Sequence, residues 1–292
     1  MRLPEFEFYE PGTLAEACDM MARYREEARP LAGGTDLVVN MKRKRIRPNR
    51  VVSLSKIDAL KGMVRENGQV MIGACVTTAE IAGSETLEKG LVALSEGARV
   101  LGSPLIRNLA TIAGNVVSAR PAADLPPPLM AYGAKAMLAN TAGERCVDLN
   151  DFFTGPGETV MAPDEILSKF VIEVPQGHCG GGYIKLGMRK TLEISLVNVA
   201  AVISLDTPDG PVTKARIVLG SVGPTPMRAL SAENVLRGQF TSNALFTRAG
   251  EAASRESQPI DDFRGSAEYR RDMVSVLTKR VLNMALSRAM SG

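Results

Sequence analysis

"PLAGGTDLVVN", residues 30–40, decides how the N-terminal part of this chain is read. Pro30, Leu31 and Ala32 form an apolar lead-in, Gly33 and Gly34 interrupt it, and Thr35 and Asp36 precede a second apolar run. The order is strand, tight turn, helix, an arrangement in which successive backbone N–H groups cradle a phosphate. No Gly-Lys-Ser/Thr follows, so this is not the Walker loop, and G-x-G-x-x-G is not spelled either. Which anion such a turn holds, or whether it is an ordinary turn, is not decided by these residues alone.

Outward from this stretch, "FEFYEP" (6–11) alternates like a short strand. Thr13 and Glu16 have capping-box spacing at the head of a helix over 14–27. "DLVVNMKRK" (36–44) reads as a short helix, "RVVSLS" (50–55) as a strand, and "GMVRENGQVMIGACV" (62–76) as a hairpin turning at Glu66-Asn67-Gly68. Thr78 opens a short helix at "TAEIA". Leu87, Leu91, Leu94, Ala98 and Leu101 predict one helix over 85–101. Residues from Gly102 to the strand-like "AKAMLAN" (134–140) read as a long irregular segment, too apolar for a linker, and such segments inside a domain are usually functional. After a strand at 165–175 comes "QGHCGGG" (176–182), read as a hinge. Beyond it three strand-like runs (183–190, 195–206 and 212–223) precede helices near 231–238, 244–256 and 266–290, the last carrying Tyr269, Met273, Leu277, Val281 and Ala285 on one stripe. Strands followed by helices predict an α+β module with an antiparallel sheet.

Composition narrows the chemistry. The chain has 292 residues, 45% apolar and 23% charged, with a formal net charge of +3, which fits about two ordinary globular domains. The basic run "KRKRIRPNR" (42–50) lacks the interleaved aromatics of a nucleic-acid surface, so no nucleic-acid partner is expected. No apolar signal segment opens the sequence and no apolar run reaches about 18 residues, so no membrane span is expected. Cys18, Cys75, Cys146 and Cys179 are scattered without C-x-x-C, which spells neither zinc nor a cysteine-bound cluster and fits a cytoplasmic chain. His178 is the only histidine and sits in the glycine-rich link. The chain has no candidate catalytic triad and no metal ligand set; a bound cofactor must supply any reactive group.

"TIAGN" (111–115) is a second apolar lead into glycine. Two such turns suggest two loops closing on one anion, with Thr35, Thr111 and Asn115 as side-chain donors and Asp124 placed for a ribose or ribityl hydroxyl.

The segments "LAGGTDL" (31–37), "MIGACVTTAEI" (71–81), "TIAGNV" (111–116), "RPAADLPPPLMA" (120–131), "YIKLGMRK" (183–190), "ISLVNVAAVISL" (194–205) and "LGSVGPTPMRA" (219–229) occur in this order. Together they resemble the FAD-binding medium subunit of the xanthine dehydrogenase/carbon monoxide dehydrogenase family of molybdenum hydroxylases, over almost the whole chain. The resemblance implies a vanillyl-alcohol-oxidase-type (PCMH-type) FAD domain at 1–177, built of two α/β subdomains (roughly 1–57 and 58–177). It also implies a small C-terminal α/β domain at 178–292 with a three-stranded antiparallel sheet and helices. Ala32, Gly33, Gly34, Thr35 and Asp36 match the first pyrophosphate loop; Thr111, Ile112, Ala113, Gly114 and Asn115 match the second, whose backbone amides face the phosphates. Leu101 and Gly102 match a cofactor contact before that loop, Asp124 an acidic residue bonding FAD, and Leu167 and Lys185 positions near the isoalloxazine ring.

The sequence departs from the family at Thr35-Asp36, at Arg120, and at Ala113, which replaces a glycine. A methyl at Ala113 needs a negative φ, or its left-handed strain of about 1 kcal/mol must be absorbed nearby. The cysteine-rich insertion of relatives acting on aromatic acyl-CoA substrates is missing. The implied function is electron transfer within an oxidoreductase complex. A large molybdenum-cofactor subunit oxidises the substrate, a small subunit with 2Fe–2S clusters relays electrons, and FAD on this chain delivers them to an external acceptor such as NAD, a quinone or oxygen. A stand-alone FAD oxidase of the same superfamily is the alternative.

Overall fold

The computed structural model describes residues 2–189 and 192–291. Its first layer contains β1 (Glu7–Tyr9), α1 (Leu14–Tyr24), β2 (Ala28–Leu31), α2 (Leu37–Lys42) and β3 (Arg50–Ser53), with the strands parallel in the order β1-β3-β2. Thr13 caps α1, its Oγ1 accepting the Glu16 N–H at 3.2 Å. The expected return bond moves back one residue, so the Glu16 carboxylate accepts from Gly12 N–H at 2.8 Å. Parallel pairing of β2 with β3 requires a crossover, and α2 provides it. The Gly33-Gly34 turn therefore lies at the carboxyl end of a parallel strand, where α/β sheets bind their ligands.

The second layer starts with the hairpin of β4 (Met63–Glu66) and β5 (Gln69–Gly73). Asn67 (φ +51) and Gly68 (φ +75) are both left-handed, as a two-residue I′ turn demands. α3 (Thr78–Ala82) opens at Thr78 as expected and is capped by the preceding Thr77 through a complete capping box with Glu80. The single helix expected over 85–101 is broken into α4 (Glu85–Glu88) and α5 (Val92–Arg99), because Gly90 adopts φ +100 between them. The segment expected to be irregular carries three short helices, α6 (Pro104–Arg107), α7 (Ile112–Val117) and α8 (Pro126–Ala131). Its Ser, Thr and Pro residues start helices: Ser103 and Thr111 are N-caps, and prolines occupy the first turns of α6 and α8. β6 (Lys135–Asn140), β7 (Gly143–Asp148), the small pair β8 (Phe153–Gly155) and β9 (Glu158–Thr159), and β10 (Ile166–Glu173) follow. An antiparallel sheet results, ordered β4-β5-β10-β6-β7.

The C-terminal part contains β11 (Cys179–Leu186), β12 (Val197–Leu205), β13 (Val212–Gly220), β14 (Met227–Arg228), α9 (Leu230–Leu236), α10 (Asn243–Glu256) and α11 (Ala267–Ser291). The expected three antiparallel strands are present, and the two-residue β14 adds an edge. Lys190, the last residue of the quoted "YIKLGMRK", lies outside the described residues. β12 is apolar on both faces: Val197, Val199, Ala201 and Ile203 pack with the helices, while Ala200 and Val202 join the core of the N-terminal layers. On α11, Leu277, Val281 and Ala285 are buried as expected, whereas Tyr269 is exposed and Met273 half-buried.

Gly180–Gly182 are strand residues rather than a hinge. A Cβ on Gly180 would overlap the Ala285 carbonyl oxygen of α11, and one on Gly181 would overlap the Tyr132 hydroxyl. The glycines let a helix and a tyrosine lie directly on the strand, so their density reflects close packing.

Candidate functional site

The first loop leaves β2 at Leu31 and turns at Gly34, whose φ of +72 suits glycine. Gly33 is required for a different reason. A Cβ there would overlap the Leu109 carbonyl oxygen and stand 2.6 Å from its carbon, so the two glycine loops meet backbone to backbone. α2 then begins, with Val38 N–H bonding Gly34 O at 3.0 Å and Asn40 N–H bonding Asp36 O at 2.9 Å. Among the described residues, the N–H groups of Gly33, Gly34, Thr35 and Asp36 have no acceptor. Ala32 to Thr35 are half-buried and Asp36 is exposed, so this row of donors is reachable from outside.

The second loop has the opposite state. Ile112 N–H donates to Val76 O at 3.0 Å, Ala113 N–H to Ala74 O at 3.3 Å, and Asn115 N–H to Thr111 O at 3.0 Å. Gly114 N–H is capped by Thr111 Oγ1 at 3.2 Å. Of the amides expected to face phosphates, those of Ile112, Ala113, Gly114 and Asn115 are bonded inside the chain, while the Thr111 N–H has no acceptor among the described residues. Side-chain donors remain. The Thr111 hydroxyl accepts from Gly114 and keeps its own proton to donate, and Asn115 Oδ1 accepts from Leu125 N–H at 3.1 Å, which leaves its NH2 group to donate. Ala113 lies in the first turn of α7 and is not among the residues with positive φ, so its methyl carries no left-handed strain.

Behind the second loop stands a buried charged cluster. Asp124 accepts from Tyr183 Oη at 2.8 Å and from Lys185 Nζ at 2.8 Å. The Lys185 and Asp124 side chains are 8% and 7% exposed. Burial pushes the Asp124 carboxyl above the usual carboxylate range, while Lys185 and Tyr183 pull it back. Burial, with Asp124 adding to it, also holds the Tyr183 hydroxyl well above its ordinary value, so it stays a donor. Lys185 also donates to Val100 O at 3.3 Å, beside Leu101 and Gly102. The strand bearing Tyr183 and Lys185 is fastened by Glu96 of α5, which accepts Tyr183 N–H at 2.9 Å and an ion pair from Arg288 of α11 at 2.5 Å.

The predicted residues thus form two contiguous groups. The first loop touches the second at Leu109, and the second reaches Asp124 through the Asn115–Leu125 bond. Leu167 is buried in β10 next to Ser168, whose carbonyl takes Ala74 N–H at 2.9 Å; it lies behind the second loop with its side chain in the core. No hydrogen bond joins residues 32–36 to Asp124 or Lys185 among the described residues. A cavity of about 390 Å³ opens beside Lys185, with Val100, Gly187, Met188 and Glu193 among its walls. Arg120 is exposed and His178 half-buried. Sequence reasoning missed Tyr183, although strand alternation puts it on the same face as Lys185, two residues on.

No helix among the described residues is long and apolar enough to cross a membrane. Residues 4–176 match the family described as "FAD binding domain in molybdopterin dehydrogenase", and residues 182–285 match "CO dehydrogenase flavoprotein C-terminal domain". The xanthine dehydrogenase FAD-binding subunit of Escherichia coli O157:H7 is 30% identical over 284 residues, covering 97% of this chain and 96% of that one. The carbon monoxide dehydrogenase medium chain of Afipia carboxidovorans is 33% identical over 284 residues, covering 97% and 98%. Among solved structures, a carbon monoxide dehydrogenase chain from Hydrogenophaga pseudoflava superposes with a TM-score of 0.94 at 30% identity, covering 99% of each chain. A chain of quinoline 2-oxidoreductase from Pseudomonas putida 86 reaches a TM-score of 0.92 at 27% identity, covering 99% of this chain and 100% of that one.

Proposed function

Because this chain belongs to the FAD-binding medium subunits of the xanthine dehydrogenase and carbon monoxide dehydrogenase family, we propose that it holds FAD between its two glycine loops as the electron-transfer member of a molybdenum hydroxylase complex. The observation that carries the placement is the row of four uncommitted N–H donors from Gly33 to Asp36. Such a row fits a pyrophosphate, and the glycine-only approach at Gly33 brings it against the second loop. Ala32–Asp36 bind the phosphates through backbone donors, and Thr111 and Asn115 through side chains, on the rigid platform of Ile112, Ala113 and Gly114. Lys185, with Asp124 beside it and Leu101 and Gly102 next to its Val100 partner, lines the place for the isoalloxazine ring, and Leu167 backs the second loop from the core.

FAD, when bound, supplies a redox centre that exchanges electrons singly or in pairs. The residues of this chain anchor it, exclude water from one side and set the local charge. Lys185 can favour a negative charge on the ring only to the extent that it is drawn from Asp124, so the buried pair tunes how much cation the ring meets. We assign residues 1–177 to holding the cofactor, with halves 1–57 and 58–177, and residues 178–292 to covering it. The partners in this reading are a large molybdenum-cofactor subunit and a small 2Fe–2S subunit; electrons leave to an external acceptor.

The test is reconstitution. Purified chain mixed with FAD and freed of excess is expected to retain flavin absorbance, with or without co-expressed partners. A colourless protein under both conditions would sink the proposal.

A further inference from the structure

The basic run after α2 has no part in the site described so far. Lys42, Arg43, Lys44, Arg45 and Arg47 are all exposed, and none forms an ion pair among the described residues. Arg50 behaves differently: it pairs with Glu7 at 3.3 Å and with Glu27 at 2.5 Å, and lies 4.3 Å from the centre of the Tyr24 ring. No acidic residue occurs between Asp36 and Asp58. Helix polarity accounts for a cation in the last turn of α2, which is Lys42, but not for those beyond it.

Lys44 adds an independent observation. α2 ends in a Schellman motif, with Arg45 N–H bonding Asn40 O at 2.9 Å and Lys44 N–H bonding Met41 O at 3.0 Å. The residue between these bonds must be left-handed, and Lys44 has φ +58. Glycine occupies that position without strain; a lysine does not. The chain thus carries a cation where its local geometry favours glycine, although Arg25, Asn67, Ala119, Leu192 and Ser221 also hold side chains at positive φ.

α2 is six residues long, so about 9 Å of helix separates the cations from the free N–H groups of Gly33–Asp36. That is close to the screening length of about 8–10 Å at moderate salt and well inside the ~30 Å at low salt. We propose that Lys42, Arg43, Lys44, Arg45 and Arg47 form an electrostatic funnel that speeds capture of a dinucleotide pyrophosphate by the first loop without touching it once bound. This rests on the FAD assignment and adds a kinetic role to it.

Flavin-free full-length chain is mixed rapidly with FAD, and quenching of flavin fluorescence is followed in time. Replacing all five cations by glutamine is expected to slow association about ten-fold or more in low salt. Dissociation should stay unchanged, and the difference should vanish near 1 M salt, where screening acts within about 3 Å. Lys44→Gly separates charge from folding: it is expected to raise Tm by about 2 °C while slowing association roughly two-fold at low salt. Association of the glutamine variant at the wild-type rate in low salt would overturn the funnel and leave the patch for an acidic face of a partner subunit. A difference that persisted at 1 M salt would overturn it too, since damage to the loop would then be the cause. Wild-type chain that takes up no FAD at any salt would instead sink the site assignment itself.

Discussion

At the first glycine loop, the N–H groups of Gly33, Gly34, Thr35 and Asp36 have no acceptor among the described residues. At the second, those of Ile112, Ala113, Gly114 and Asn115 each have one. Both loops are apolar lead-ins to glycine, yet their surroundings differ. The first follows a parallel strand and approaches the backbone of Leu109 and Ala110 at Gly33. The second is pinned along its length to the carbonyls of Ala74 and Val76, and Thr78 N–H adds a bond to Ala110 O at 2.8 Å. One loop is therefore a row of open donors, and the other, from Ile112 to Asn115, is a fixed wall flanked by the side-chain donors of Thr111 and Asn115. A glycine in a loop marks close approach, but it does not say whether the approaching group is a ligand or the chain itself.

The largest effect is expected where the loops touch. Gly33→Ala puts a methyl into the Leu109 carbonyl and must push the loops apart, at a cost of about 1–3 kcal/mol for overpacking. The variant is expected to fold with a lowered Tm and to lose FAD retention by about a thousand-fold or entirely. Flavin retained at the wild-type level by a folded variant would break the two-jaw picture.

Amide hydrogen exchange tests the asymmetry without mutation. In the flavin-free chain, residues 33–36 are expected to exchange fast and 112–115 slowly, because only the latter are bonded. With FAD at about a hundred times its Kd, exchange at 33–36 should slow about a hundred-fold, while 112–115 should change little. Equal protection of both loops before FAD is added would contradict the donor assignment.

What could be read in advance follows the range of each interaction. Thr13, the Asn67-Gly68 turn and the strand at 195–206 are local patterns, and they are found where the sequence places them. The commitment of the 112–115 amides is set by carbonyls at 74 and 76, across a different element, so "TIAGN" alone could not reveal it. The concern over Ala113 arose from treating that stretch as a loop; it is the first turn of a helix, where alanine is favoured. Gly180–Gly182 resemble a linker in composition because a helix packed at close range and a flexible tether both require glycine. Tyr183 escaped notice for another reason: its role depends on Asp124, a residue from the other part of the chain.

Asn115→Asp sharpens the claim that the second loop donates through side chains. The substitution keeps an oxygen for Leu125 N–H, so the fold should persist, but it replaces an NH2 donor with an anion beside the proposed phosphate. Hydrogen bonds to charged groups contribute about 1.5–3 kcal/mol, so Kd for FAD should rise about 10- to 100-fold, measured by flavin fluorescence titration. An unchanged Kd would remove Asn115 from the site.

The smallest effect is expected at Gly114, and its smallness is the point. A Cβ there would meet only Thr111 Oγ1, at 3.0 Å, and the residue lies in the first turn of α7 with no positive φ. Gly→Ala in a helix gains about 0.5–1 kcal/mol of backbone entropy, which offsets a shift of a few tenths of an ångström in the cap. Tm and FAD affinity of Gly114→Ala should therefore stay close to wild type, within about three-fold for Kd. If Gly114→Ala instead lost FAD as completely as Gly33→Ala, ligand phosphate would have to approach the Gly114 backbone directly, and the second loop would be an open donor row after all. The pair of alanine variants thus decides whether a glycine motif on each side means one mechanism twice or two different ones.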